Sequence, residues 1–119
     1  MTSDVILVTM MMVNNETGAV MPISQMAKLT HRVCPDAIFH TDAVQGFLKI
    51  PGDRLPTVCD LITVSAHKIG GLKGTGALYI SEKIRNLPAL LPGGGQENGM
   101  RSGTENVHAL AAFGAAAEE

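Results

Sequence analysis

The sequence predicts an α/β layered fold with a mostly parallel sheet and crossover helices, and three observations lead there. Short runs rich in β-branched residues recur along the chain at Val5–Val13, Ala37–Thr41 and Leu61–Ser65, as strands buried in such a sheet do. A helical pattern separates the first two, and a longer crossover separates the second from the third, the order that makes neighbouring strands parallel. Each run also ends in polar residues, where open α/β sheets bind ligands beyond the carboxyl ends of their strands.

Val5–Val13 is continuous except for Thr9 and is expected to be buried on both faces, with Met10, Met11 and Met12 as core. It stops at Asn14-Asn15-Glu16-Thr17-Gly18, which is turn chemistry. Ile23, Met26, Ala27, Leu29 and Thr30 predict a helix over Pro22–Val33, with Pro22 in the first turn, where a missing N–H costs nothing. Ala37–Thr41 is the second strand, ending at Asp42. Residues 43–60 form a crossover containing Pro51, Gly52 and Pro56, and Leu61–Ser65 is the third strand, ending at Ala66-His67-Lys68. After the glycines at 70, 71, 74 and 76, Ala77–Ile80 follows so closely that an antiparallel return is expected. The glycine-rich segment Pro92–Gly103 leads into a helix from about Thr104. The closing Ala115-Ala116-Ala117-Glu118-Glu119 has no Gly or Asn cap behind it, so residues 1–119 are expected to be part of a larger domain.

Composition narrows the partners. Charged residues make up 17% with a net charge of −2, so no nucleic-acid surface is expected and small molecules or proteins remain. The nine residues of Val5–Val13 fall short of the roughly 20 needed to span a bilayer, and the flanks of a signal peptide are missing. Cys34 and Cys59 make no secreted-type framework, so a reducing cytoplasm is the simpler expectation. His31 with Cys34, or His40 with Cys59, fits no closed tetrahedral spacing, so no metal is expected.

On parallel strands the polar endings share one edge of the sheet. They comprise Asn14-Asn15-Glu16, Asp42 with Gln45, and Ser65 with His67-Lys68. An aldehyde cofactor with a pyridine ring and a phosphate needs such groups. An amine bonds the aldehyde, and a carboxylate keeps the ring nitrogen protonated so that the ring can accept electrons. A charge-assisted hydrogen bond of that kind contributes roughly 1.5–3 kcal/mol.

The stretches Asn14–Gly18, His40-Thr41-Asp42-Ala43-Val44-Gln45, Ser65–Lys68 and Gly93–Thr104 resemble the cysteine desulfurases. These belong to the class V aminotransferase group, with the fold-type I architecture of pyridoxal 5′-phosphate (PLP) enzymes. The resemblance runs from about Val5 to Glu119. It implies that Lys68 bonds the cofactor and moves protons at the substrate α-carbon. It also implies that Asp42 pairs with the pyridine nitrogen, that Asn15 and Gln45 reach the phenolic oxygen, and that Ser65 and His67 hold the phosphate. Thr104 reaches the phosphate of the partner subunit's cofactor, since the family is dimeric. The activity implied is removal of sulfur from L-cysteine, leaving alanine and an enzyme-bound persulfide. A sulfur-acceptor protein and a place in sulfur metabolism, including iron–sulfur cluster assembly, go with it.

Each assignment also has a plainer competitor. Under that competing reading Lys68 is a solvated surface amine, Asp42 a helix N-cap, Asn14 and Asn15 turn builders and Gln45 a surface residue. Under it, too, His67 is a satisfied buried imidazole, Ser65 makes a local backbone bond, and Thr104 is an N-cap. The family's nucleophilic cysteine lies on a mobile loop well beyond the lysine, and neither Cys34 nor Cys59 matches it. Nothing here matches the family's ring-stacking imidazole or its substrate-binding arginine. Ile69-Gly70-Gly71 replaces the aromatic residue and Gly-Pro pair of many relatives. The 119 residues alone are therefore expected to be inactive. Two alternatives stay open: selenocysteine lyase or another class V lyase or aminotransferase, and a non-catalytic truncated domain or interaction module.

Overall fold

A computed structural model describes residues 2, 4–50 and 55–118. Pro51 and Gly52 of the expected crossover lie outside the described residues. The elements run in the order β1 (Leu7–Met11), α1 (Ile23–Val33), β2 (Ile38–Asp42), β3 (Leu61–Ser65), β4 (Gly76–Ile80) and α2 (Val107–Glu118). Single 3₁₀ turns at Leu55–Thr57, Ala66–Lys68 and Gln96–Gly99 lie between them. The four strands form one sheet in the order β1-β2-β3-β4. The first three are parallel, with Met11 opposite Asp42 and Asp42 opposite Thr63. β4 returns antiparallel to β3, pairing Ser65 with Gly76. The expected fold class is the observed one.

The core sits between one face of the sheet and α1. Ile23, Ala27 and Thr30 recur at helical spacing and are buried. Ile23 and Ala27 pack with Met12, Phe39, Ala43, Leu55, Cys59 and Ile62. Pro22 stands just before the first turn of α1 rather than inside it, with its carbonyl accepting from the Met26 N–H at 3.0 Å. At the other end Cys34 closes the helix, its N–H donating to the Thr30 carbonyl at 2.7 Å.

Strand alternation puts Phe39 and Thr41 into the core and Ile38, His40 and Asp42 on the opposite face. That opposite face corrects one expectation. β1 alternates between exposed and half-buried positions instead of being buried on both sides, with Val8 and Met10 packed against the core and Leu7, Thr9 and Met11 on the other face. Of the three successive methionines, Met12 is buried, Met10 half-buried and Met11 exposed. The second helix also starts later than expected, at Val107, and its first turn is capped by Asn106, whose Oδ1 accepts from the Ala109 N–H at 3.2 Å. Thr104 is therefore not its N-cap.

One buried carboxylate fastens the crossover to the sheet. Asp60 Oδ2 accepts from the Phe39 N–H at 2.8 Å and lies 2.7 Å from His31 Nε2 on α1. Its backbone N–H donates to the Phe39 carbonyl, and its carbonyl accepts from Ser81 beyond β4. Asp60 thus ties α1, β2 and the ends of β3 and β4 together at the edge away from the site.

Candidate active site

At the carboxyl ends of the parallel strands, Met11, Val13, Asn15, Asp42, Val44, Gln45 and Lys68 line one cavity of about 290 Å³. Small-molecule sites span roughly 300–1,000 Å³, so this one suits a compact ligand. Its wall carries an amine, a carboxylate and two primary amides, with apolar side chains between them.

Each group is brought there by local chemistry. After β1, Asn14 folds the chain back on itself. Its Oδ1 accepts from the backbone N–H groups of Glu16 and Thr17, both at 2.9 Å, and from the Thr17 hydroxyl at 3.1 Å. Asn14 is thus the turn builder, and the turn leaves Asn15 exposed at the cavity.

Asp42 is the last residue of β2, and its carbonyl accepts from Met12 N–H at 2.7 Å. Its Oδ1 also accepts from the Val44 N–H at 3.0 Å, so the side chain starts the next turn as well as facing the cavity. In that turn Gly46 packs where an added Cβ would collide with the Met12 side chain, and the tight fit brings Val44 and Gln45 to the wall.

Lys68 ends the 3₁₀ turn that follows β3 directly. The Ala66 carbonyl, at its start, accepts from Ile69 and Gly71 N–H groups at 3.0 and 2.9 Å. Ala66 is fully buried and Lys68 half-buried, which directs the amine to the cavity. A Cβ on Gly71 would meet that of Ala66 at 2.9 Å, so glycine lets the loop close this tightly.

Of the expected site residues, Asn15, Asp42, Gln45 and Lys68 come together. Ser65 and His67 flank Lys68 in the chain but do not line the cavity. His67 is exposed rather than a buried imidazole, and Ser65 makes no side-chain cap bond. Thr104 is exposed in the segment before α2 and is not among the lining residues. Neither cysteine lines the cavity, and both are buried without forming a disulfide. His31 bonds Asp60, and His40 lies between two threonine hydroxyls. Among the described residues no cluster of metal-ligating side chains is found, and no helix is long and apolar enough to cross a membrane.

The sequence reading missed Met11, Val13 and Val44 as cavity residues. The signal was available for Val13 and Val44, which stand within two positions of an expected site residue, whereas Met11 is placed there by its register opposite Asp42. It also missed His40, which strand alternation puts on the same face as Asp42.

The model of the family "Aminotransferase class-V" matches residues 1–118. A cysteine desulfurase of a Nostoc species is 47% identical over 118 residues, covering 99% of this chain and 29% of that protein. Among solved structures, a NifS-like protein superposes with a TM-score of 0.91 at 37% identity, covering 99% of this chain and 32% of that one. A structure described as SspA in complex with cysteine gives a TM-score of 0.91 at 38% identity, covering 100% and 34%. The chain therefore spans about three tenths of the length of the relatives it matches. By its sequence and by the sheet it shares with these enzymes, the chain belongs to the class V aminotransferase family and has the fold-type I architecture of PLP-dependent enzymes.

Proposed function

We propose that this chain carries the cofactor-binding part of a PLP-dependent cysteine desulfurase, which converts L-cysteine and an enzyme thiol into L-alanine and an enzyme persulfide. The observation that carries the reading is the meeting of Lys68 and Asp42 in one cavity at the carboxyl ends of parallel strands. The donor set fits the cofactor: an amine for its aldehyde carbon, a carboxylate for its ring nitrogen, and the amides of Asn15 and Gln45 for its phenolic oxygen. The names of the relatives and a neighbour bound to cysteine support the substrate.

Bound PLP supplies an electron sink for the bonds at the substrate α-carbon. Lys68 holds the cofactor and then carries a proton to and from that carbon. Asp42, anionic, keeps the ring nitrogen protonated. Asn15 and Gln45 orient the ring by hydrogen bonds. Ser65 and His67, at the turn that carries Lys68, bind the phosphate, and Thr104 reaches the phosphate in a second copy of the chain. A thiolate attacks the substrate sulfur, the carbon–sulfur bond breaks, and its electron pair stays on carbon, which takes a proton. Cys34 and Cys59 are buried away from the cavity, so we assign neither as that thiolate. We assign this chemistry to the cytoplasm.

The reading is tested with Asp42→Asn in a longer, PLP-loaded protein that contains these residues and releases sulfide from L-cysteine. Asn keeps an oxygen for the Val44 N–H, so the turn should survive while the ring nitrogen loses its anionic partner. The expected result is a fall in turnover of roughly two orders of magnitude or more, the scale of a lost transition-state contact, with unfolding temperature nearly unchanged. Parallel losses of stability and turnover would instead make Asp42 a structural cap.

A further inference from the structure

On the face of the sheet that carries Asp42, a polar row crosses three strands. His40 Nδ1 lies 2.6 Å from Thr9 Oγ1 on β1, and His40 Nε2 lies 3.2 Å from Thr63 Oγ1 on β3. Thr9 is the register partner of His40, whereas Thr63 is the register partner of Asp42. The imidazole therefore leans forward along β2 and ties both neighbouring strands to it immediately before the strand ends that open on the cavity.

The chemistry of the row favours a neutral ring. A hydroxyl both donates and accepts, so one threonine donates to the bare ring nitrogen and the other accepts from the N–H. With both nitrogens taken, no imidazole N–H remains for Asp42, whose Oδ1 is already bonded to Val44 N–H. Burial holds His40 below the ordinary imidazole range, and the Asp42 carboxylate opposes this more weakly. Besides the threonines, β1 and β3 present Leu7, Met11, Leu61 and Ser65 on that face. None of these carries charge, so Asp42 is the charged group that acts on the ring.

We propose that His40 is a positioning residue for Asp42: held by Thr9 and Thr63, it fixes β2 one rung before the carboxylate and withholds its own N–H, so that Asp42 stays available to a cofactor ring nitrogen. The proposal rests on the PLP reading of the cavity. Protonation of His40 sets a cation beside Asp42 and draws the carboxylate away from that task, so cofactor affinity falls as the ring takes up its proton. Removing the Thr63 hydroxyl leaves Nε2 without its partner, so the protonated ring can donate from it to Asp42, which strengthens their pairing and raises the pH at which the ring titrates.

Two measurements on the wild type, His40→Phe, Thr63→Val and Asp42→Asn test this. The first follows the His40 ring by NMR through a pH titration without cofactor. Thr63→Val should move its titration upward and Asp42→Asn should move it downward. The second follows PLP affinity, by visible absorbance, across the same pH range. Wild type should lose affinity as pH falls through the ring titration, and His40→Phe should lack that acid limb. Thr63→Val should shift the limb upward and weaken binding by roughly five- to tenfold, the worth of one hydrogen bond. Wild-type affinity and an unshifted acid limb in both His40→Phe and Thr63→Val would overturn the role of His40 while leaving the PLP reading intact. Failure of the wild type to take up PLP at any pH would overturn the PLP reading and this proposal with it.

Discussion

Phe39 on β2 is fully buried, whereas Val107 at the start of α2 is 65% exposed. That contrast runs through the described residues. From β1 to β3 the strands stack in register against α1, and the buried cluster lies almost wholly within this half. From β4 onward most positions are exposed, and α2 buries only Ala109. The site follows the same division. Asn15, Asp42, Gln45 and Lys68 stand on turns held directly to packed parallel strands, and they meet, whereas none of the residues lining the cavity lies beyond β4. Convergence of functional groups here is a property of the sheet, set by strand order and register.

Core truncation gives the largest test of this contrast. Phe39→Ala is expected to cost about 3–5 kcal/mol in unfolding free energy, since a fully enclosed ring leaves a cavity. Val107→Ala should stay within about 0.5 kcal/mol, as an exposed substitution does. Chemical denaturation of both variants checks the difference, and similar losses would break the division. Asp60→Ala should come next, at about 1–3 kcal/mol, because it strands the Phe39 N–H and releases His31 from the same edge. Thr30→Val should be the smallest. Among the described residues the Thr30 Oγ1 is buried with no hydrogen-bond partner, so an apolar group of the same shape should be neutral or stabilising by up to about 1 kcal/mol.

The sequence made the parallel half legible because its signals are local and agree. β-branched runs, the turn at Asn14 and the helical spacing of Ile23, Ala27 and Thr30 all point to one arrangement. The bounds of β3 come out as expected, at Leu61–Ser65. The antiparallel return was legible too, from the shortness of the glycine loop. Less visible was the second face of β1, since an apolar run looks the same whether or not a neighbour covers it. The start of α2 was misread because Thr104 and Asn106 are both good caps, and only the observed Asn106–Ala109 bond selects between them. His40 and Asp60 were missed for a different reason. A polar residue inside or beside a strand reveals its partners only when the strands are in register, and the partners of His40 lie 31 and 23 residues away.

The central claim is that Lys68, raised on the turn after β3, is the amine that holds the cofactor. It is tested most directly by incubating the protein with PLP, trapping any covalent product with borohydride and mapping the modified peptide by mass spectrometry. One reduced cofactor per chain on Lys68, and none in Lys68→Ala, is the expected result. Label on Lys49 or Lys73 instead, or equal labelling of the Lys68→Ala protein, would contradict the assignment.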